Sequence, residues 1–147
     1  MRAVVTRVLS AAVEIEGVVA GSIGKGFLVL LGIRSGDTEK EAAKLAKKVC
    51  NLRVFEDMDG KMNLDLATIG GSILLISQFT LYADCKSRRP GFTDAARPDA
   101  AIPLYELFIS CCQEAGFTVE TGSFGAMMNV SSINSGPVTI ILDTDDF

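Results

Sequence analysis

The chain has 147 residues, of which 48% are hydrophobic, and this is enough for one domain with a single buried core. Its formal net charge of −4 argues against a protein coated in basic surface, so any contact with nucleic acid needs a local basic patch. The chain contains no histidine, which excludes serine–histidine and cysteine–histidine mechanisms and any histidine general base.

The first third of the chain predicts strands followed by a helix. Residues 2–33 form short apolar or alternating segments separated by turns, as in a series of strands. Residues 21–26 look superficially like a phosphate-binding loop, but their glycine spacing is GxxGxG and no helix follows, so we interpret them as a connection between strands. Residues 38–41, TEKE, have the pattern of a capping box and predict a helix over residues 38–50.

The predicted helix carries lysines away from its apolar stripe. These are Lys40, Lys44, Lys47 and Lys48. Such a set is typical of a solvated helix face, and it is also what a surface that steers phosphates would present. Both interpretations stay open from the sequence.

The rest of the chain predicts more strands and one further helix. That helix covers about residues 99–115, with Pro98 and Pro103 near its first turn, where proline is tolerated. The predicted strands are 52–55, 71–76, 117–120, 127–133 and 138–142. Because there are no repeats or linkers, we predict one α+β domain over residues 1–147 with two main helices, ending in a solvated, flexible acidic tail at 143–147.

The cysteines and the apolar runs bear on compartment and cofactors. The four cysteines show no CxxC spacing, and no histidine could complete a zinc site, so we expect reduced thiols, no bound metal and no cofactor. The longest apolar runs have strand length and the N-terminus lacks a signal-peptide pattern. We therefore expect a cytoplasmic protein without a membrane span.

Two short segments are the candidate site. Residues 77–81, SQFTL, end a buried strand with hydrogen-bonding side chains around one aromatic, which is unusual unless something polar is met there. Residues 134–139, NSGPVT, place Gly136-Pro137 before an apolar strand, where proline must start the strand or lie in a turn. The bond before a proline is also where a cis peptide costs least. Together the segments indicate a site made largely from backbone.

The hydroxyls of the first segment allow two interpretations. Ser77 and Thr80 can cap nearby backbone groups, as such side chains commonly do. A nucleophilic role would need a base, and the segment has neither histidine nor an adjacent lysine. Asp84 follows four residues after Thr80, but the sequence does not show that its carboxylate can reach.

Taken together, the two segments closely resemble the D-aminoacyl-tRNA deacylases, which remove D-amino acids from mischarged tRNA. The resemblance covers the whole chain and includes four further short matches, at residues 7–8, 60–63, 89–90 and 122–126. Departures from the family pattern are Gly91, where a serine often follows Arg-Pro, and the acidic tail.

The resemblance implies a fold, an assembly and an activity. The fold would be a barrel-like β-sheet core with the two helices packed on it, and the assembly a homodimer with active sites at the interface. Each pocket would combine residues 77–80 of one subunit with a cis Gly136-Pro137 turn of the other. The activity would be ester hydrolysis on tRNA charged with a D-amino acid or glycine, with L-aminoacyl-tRNA rejected.

For such an activity, roles can be assigned to individual residues, partly from the resemblance and partly from their own chemistry. The backbone amides of Phe79 and Thr80 would stabilise the oxyanion, with Ser77 and Gln78 lining the pocket and Arg7 bracing the turn. A basic loop would contact tRNA phosphates, although a solvated loop fits its sequence nearly as well; its residues are Lys86, Arg88 and Arg89. A non-catalytic dimeric module that binds tRNA 3′ ends or nucleotides is the alternative function, and a hydrolase of another small ester is a third.

Overall fold

The computed structural model describes residues 1–147 as eight strands, two α-helices and two 3-10 turns. The strands are β1 Arg2–Ile15, β2 Val18–Ile23, β3 Gly26–Gly32, β4 Phe55–Glu56, β5 Met62–Leu64, β6 Ser72–Ser77, β7 Val119–Thr121 and β8 Asn129–Asp143. The helices are α1 Glu39–Cys50 and α2 Pro98–Glu114. The 3-10 turns are Phe79–Tyr82, which we call the site turn, and Thr144–Asp146.

One long strand organises the main sheet. β1 pairs along one edge with β8, and along its other edge first with β3 and then with β2, all antiparallel. β6 continues the sheet in parallel beside β3, and β7 lies in parallel beside β6. The sheet curls until β7 meets β2, where a Cβ on Gly21 would lie 2.8 Å from the carbonyl oxygen of Thr121. The predicted barrel-like core is therefore confirmed.

The two helices pack on each other and cover one face of the sheet. The capping box predicted at the start of α1 is present, with the Thr38 amide donating to the Glu41 carboxylate at 2.8 Å. Tyr105 of α2 donates its hydroxyl to the Leu75 carbonyl at 2.9 Å, and burial raises the pKa of Tyr105 to about 12. This bond fixes α2 to β6, the strand that ends at Ser77.

Two strand predictions need correction. Residues 52–55 were expected to form a strand, but only Phe55–Glu56 pairs, because the Val54 carbonyl accepts a hydrogen bond from Arg7 instead of joining a ladder. The separate strands predicted at 127–133 and 138–142 are one strand, β8. Its pairing with β1 jumps from Val8↔Asn134 to Thr6↔Thr139, so four residues of β8 bulge opposite one residue of β1.

The acidic tail is held to the protein by side-chain contacts, while Asp145 and Asp146 are exposed to solvent as expected of a solvated segment. The Asp143 carboxylate accepts from Arg2 Nε at 2.8 Å, and the Asp145 carboxylate pairs with the guanidinium of Arg34. The amino group of Met1 donates to the Thr144 hydroxyl at 2.7 Å. These partners come from the opposite end of the chain, so the tail sequence by itself could not indicate them.

No helix in the structure has the length and apolar character needed to cross a membrane. All four cysteines are free thiols.

Candidate active site

A cavity of about 620 Å³ opens where β6 ends, between the site turn, the start of α2 and the segment 124–130. Of its 18 lining residues 13 are hydrophobic, so only a few polar groups can orient a ligand. The polar side chains among them are those of Ser77, Gln78 and Arg97. The predicted pocket residues Ser77 and Gln78 therefore do lie at a cavity, together with Phe79.

The site turn presents two backbone amides without partners inside it. The Gln78 amide anchors the turn by donating to the Leu31 carbonyl at 2.8 Å, and the first bond within the turn runs from the Leu81 amide to the Gln78 carbonyl at 3.2 Å. In a 3-10 turn the amides that precede this bond have no carbonyl of the turn to bind. The amides of Phe79 and Thr80 are in that position, and of these two residues Phe79 lines the cavity.

The side chain of Thr80 has no base beside it. Its hydroxyl accepts from the Gln78 side-chain amide at 2.5 Å, and Thr80 is not among the residues that line the cavity. The carboxylate of Asp84 instead accepts from the Lys86 amide at 2.9 Å and pairs with the ammonium group of Lys86. The contacts of Thr80 therefore fit capping within the turn and not the activation of a nucleophile.

An exposed aromatic pair borders the cavity. The rings of Phe79 and Phe92 meet edge to face with centroids 5.0 Å apart, and the two residues remain 55% and 39% exposed. Large exposed aromatic surface of this kind is typical of a binding site. The sequence did not indicate Phe92 and Arg97 as site residues, because each is distant in sequence from Ser77 and only the fold brings them to the same cavity.

Gly136-Pro137 lies in the bulge of β8, opposite Arg7, and its peptide bond is cis. Arg7 is buried and donates from Nε to the Ser135 carbonyl at 3.2 Å and from Nη1 to the Val54 carbonyl at 2.6 Å. Gly136 has φ of +119°, and a Cβ there would lie 2.9 Å from Arg7 Nη2. Glycine is therefore required twice, for the backbone conformation and for the close approach of the guanidinium.

Within the chain the two predicted motifs lie far apart. Ser77 on β6 pairs with Leu31 on β3, and Leu31 pairs with Ala3 on β1. Ala3 precedes Arg7 by four positions, and Arg7 lies opposite the bulge of β8 that contains Gly136. With strands about 4.8 Å apart and a rise of about 3.3 Å per residue, Ser77 and Gly136 are roughly 20 Å apart. Neither Gly136 nor Pro137 lines the cavity.

The basic loop adjoins the cavity without lining it. Its residues Lys86, Arg88 and Arg89 are exposed, and the loop is closed by paired backbone bonds between Asp84 and Gly91 at 2.8 and 2.9 Å. The next residue in the chain, Phe92, does line the cavity. No group of three or more acidic or thiol side chains is placed to hold a metal ion.

These observations define a class of protein: a small α+β domain with a curled sheet and a mostly apolar cavity beside a turn that has free backbone amides. The particular family follows from comparison with known proteins. The chain belongs to the D-Tyr-tRNA(Tyr) deacylase family, whose model matches residues 4–143.

Curated relatives agree along the whole chain. A D-aminoacyl-tRNA deacylase of Thermus aquaticus is 57% identical over 147 residues, covering 99% of this chain and 97% of the relative. The D-aminoacyl-tRNA deacylase of Bacillus velezensis is 54% identical over 145 residues, covering 98% of this chain and 99% of the relative.

Two solved structures share the fold. One, described as a c-Myc DNA Unwinding Element Binding Protein, is 39% identical with a TM-score of 0.92 and covers 98% of this chain and 99% of its own. The other, described as a probable eukaryotic D-amino acid tRNA deacylase, is 16% identical with a TM-score of 0.83 and covers 96% of this chain and 97% of its own. Because its sequence identity is only 16%, the second structure supports the fold assignment alone.

Proposed function

We propose that this protein hydrolyses the ester of D-aminoacyl-tRNA and releases free tRNA and the D-amino acid. The observation that carries the proposal is similarity along nearly the entire chain to the D-Tyr-tRNA(Tyr) deacylase family and to relatives named D-aminoacyl-tRNA deacylase. The cavity is compatible with this activity, because an aminoacyl ester is already activated and mainly needs orientation and an oxyanion site.

In this reaction the free amides of Phe79 and Thr80 donate to the oxyanion that develops on the ester carbonyl. A well-placed donor of this kind lowers the barrier by about 3–4 kcal/mol, by analogy with known oxyanion holes. Ser77 and Gln78 orient the substrate in the cavity. The ribose hydroxyl next to the ester helps to activate the attacking water, which makes a histidine unnecessary.

The working unit is a homodimer in which the Gly136-Pro137 turn of one subunit completes the pocket of the other. Two observations support this. The first is the separation of roughly 20 Å between the two motifs within one protomer, estimated from strand geometry. The second is exposed apolar surface on β8 away from the cavity, where Ile133 and Ile141 are 60% and 68% exposed. An apolar surface on a strand with one unpaired edge favours association with a second copy.

The Gly136-Pro137 turn selects for chirality by excluding side chains. Arg7 holds the Ser135 carbonyl, so the backbone of the turn is a rigid surface onto which the α-ammonium group of the substrate can donate. An L-amino acid bound with the same ester and ammonium positions drives its Cβ into this backbone, whereas the side chain of a D-amino acid points away from the turn. Glycine has no Cβ, so glycyl-tRNA is also a substrate.

The proposed activity is tested by incubating the protein with D-Tyr-tRNA, L-Tyr-tRNA and Gly-tRNA and following release of the amino acid. We expect rapid release from the D-ester, release from the glycyl ester and almost none from the L-ester, with no loss of rate in EDTA. Equal rates on the D- and L-esters would refute the chirality filter. No release from any of the three esters would refute the proposed deacylase activity.

Nucleic-acid binding without turnover is the second candidate, because one structural relative is named for binding DNA. The exposed basic loop beside the cavity could serve such a function equally well. The same assay separates the two, because a protein that only binds tRNA 3′ ends would protect the ester against spontaneous hydrolysis.

A further inference from the structure

We propose that Arg2 is a positioning residue for the site turn. By binding a carbonyl near the C-terminal end of the turn, it fixes the direction of the free amides at the N-terminal end. The proposal rests on the proposed function, which assigns those amides to the oxyanion. Arg2 itself does not line the cavity and touches no reacting atom.

The guanidinium of Arg2 joins three parts of the chain. Arg2 Nη1 donates to the Leu81 carbonyl at 2.9 Å, and Arg2 Nε donates to the Asp143 carboxylate at 2.8 Å. The same group lies 5.0 Å from the centroid of the Tyr82 ring, which is the distance of a cation–π contact. The planar fork of arginine allows these contacts at once, whereas a lysine ammonium is a single point charge.

The site turn has few other attachments. Its other fixed points are the bond from the Gln78 amide to β3, the packing of Leu81 and the buried Tyr82 on Gly32, and the edge contact of Phe79 with Phe92. The hydrogen bonds of 3-10 turns have poor geometry, and Phe79 and Thr80 are exposed. Without the bond to the Leu81 carbonyl, the turn can rotate about its first anchor and carry the free amides away from the ester oxygen.

The structure offers a matched control in Arg34. It also contacts the Tyr82 ring, at 5.8 Å, and pairs with a carboxylate of the acidic tail, Asp145, at 2.8 Å. The side chains of Arg2 and Arg34 are equally exposed, at 38% each. Only Arg2 donates a hydrogen bond to the site turn, so only its replacement should release the turn.

The first test compares Arg2→Gln with Arg34→Gln in the full-length protein. A misplacement of about 1 Å can cost up to 100-fold in rate, so we expect kcat on D-Tyr-tRNA to fall about 10- to 100-fold in Arg2→Gln, with the Kd for tRNA almost unchanged. Arg34→Gln should retain kcat within about twofold, since it leaves the turn attached. Arg2→Lys should recover only part of the activity. Equal kcat values for the two glutamine variants would overturn the proposal.

The second test does not depend on activity. Hydrogen exchange at the Leu81 and Ala83 amides, which close the site turn, should accelerate in Arg2→Gln and stay unchanged in Arg34→Gln, measured well below both unfolding temperatures. Equal exchange in the two variants would refute the positioning role even if kcat differs. If the wild-type protein releases no amino acid, the proposed function fails, and the exchange data still decide whether Arg2 holds the turn.

Discussion

Thr80 illustrates how a residue can belong to a site through its backbone. Its hydroxyl accepts a bond from Gln78 within the site turn, while its amide has no partner there. We therefore predict that Thr80→Ala, which keeps the amide, retains deacylation within about tenfold of wild type, whereas removing an oxyanion donor costs about 100-fold or more. Single-turnover assays on D-Tyr-tRNA measure this. An acyl-enzyme trapped on Thr80 would contradict the prediction and restore covalent catalysis.

Gly136 is a residue at which an added methyl group should damage both folding and function. Its positive φ makes alanine unfavourable by about 1–3 kcal/mol, and the Cβ would also meet Arg7. We predict that Gly136→Ala displaces the turn and abolishes most deacylation of D-Tyr-tRNA. Urea unfolding and activity assays measure the two effects separately.

Gly60 supplies the control for that variant. It also has a positive φ, of +73°, but nothing lies within 4 Å of the position that its Cβ would take. Gly60→Ala should therefore lose stability through its backbone conformation alone, by less than Gly136→Ala, and keep its activity. If both alanine variants lose activity to the same extent, the effect comes from instability and not from the turn.

At the scale of elements, local patterns predicted some structures well and others poorly. The capping box and apolar stripe located α1, because a helix start and its buried face depend on residues close in sequence. The bulge of β8 and the packed tail were not predicted, because each depends on residues more than a hundred positions away, such as Arg7 and Arg2. Among the site residues, the sequence indicated the site turn but not Phe92, whose part in the cavity is created by the fold.

The lysines of α1 remain open to both interpretations. None of the four forms an ion pair, and the ammonium groups of Lys44 and Lys48 lie 4.9 and 5.1 Å from the Phe147 ring. Lys47 and Lys48 also lie in the last turn of the helix, where positive charge is favourable in any case. Helix stability and the contacts with Phe147 therefore explain these lysines as structural residues. The same lysines also present positive charge without an ion-pair partner, to which phosphates can bind.

The basic loop allows a sharper test. Arg88 and Arg89 form no ion pair, and the loop adjoins the cavity through Phe92. We predict that replacing Lys86, Arg88 and Arg89 with glutamine weakens tRNA binding and reduces its salt dependence by roughly one unit of slope for each phosphate that the loop no longer neutralises. Binding titrations at several salt concentrations measure this. Turnover of a minimal D-aminoacyl-adenosine, which lacks the tRNA phosphates, should be unchanged, and an unchanged salt slope would mean that the loop is simply solvated.

At the scale of the whole molecule, the proposed dimer makes each active site dependent on both subunits. Two damaged variants can therefore complement each other. Gly136→Ala damages the Gly136-Pro137 turn. Gly32→Ala damages the pocket, because the new Cβ at position 32 would lie 2.9 Å from the Leu81 Cβ and would push the site turn outward. Each variant alone forms dimers without an intact composite site.

When the two variants are unfolded together and refolded at equal concentration, about half of the dimers contain one of each. In such a mixed dimer the intact pocket of the Gly136→Ala subunit faces the intact turn of the Gly32→Ala subunit, while the second site carries both defects. One good site in half of the dimers predicts recovery of about a quarter of wild-type activity from two inactive proteins. If the turn instead completed the pocket of its own subunit, the mixed dimers would contain no intact site, so a mixture that stays inactive after verified subunit exchange would exclude the shared active site.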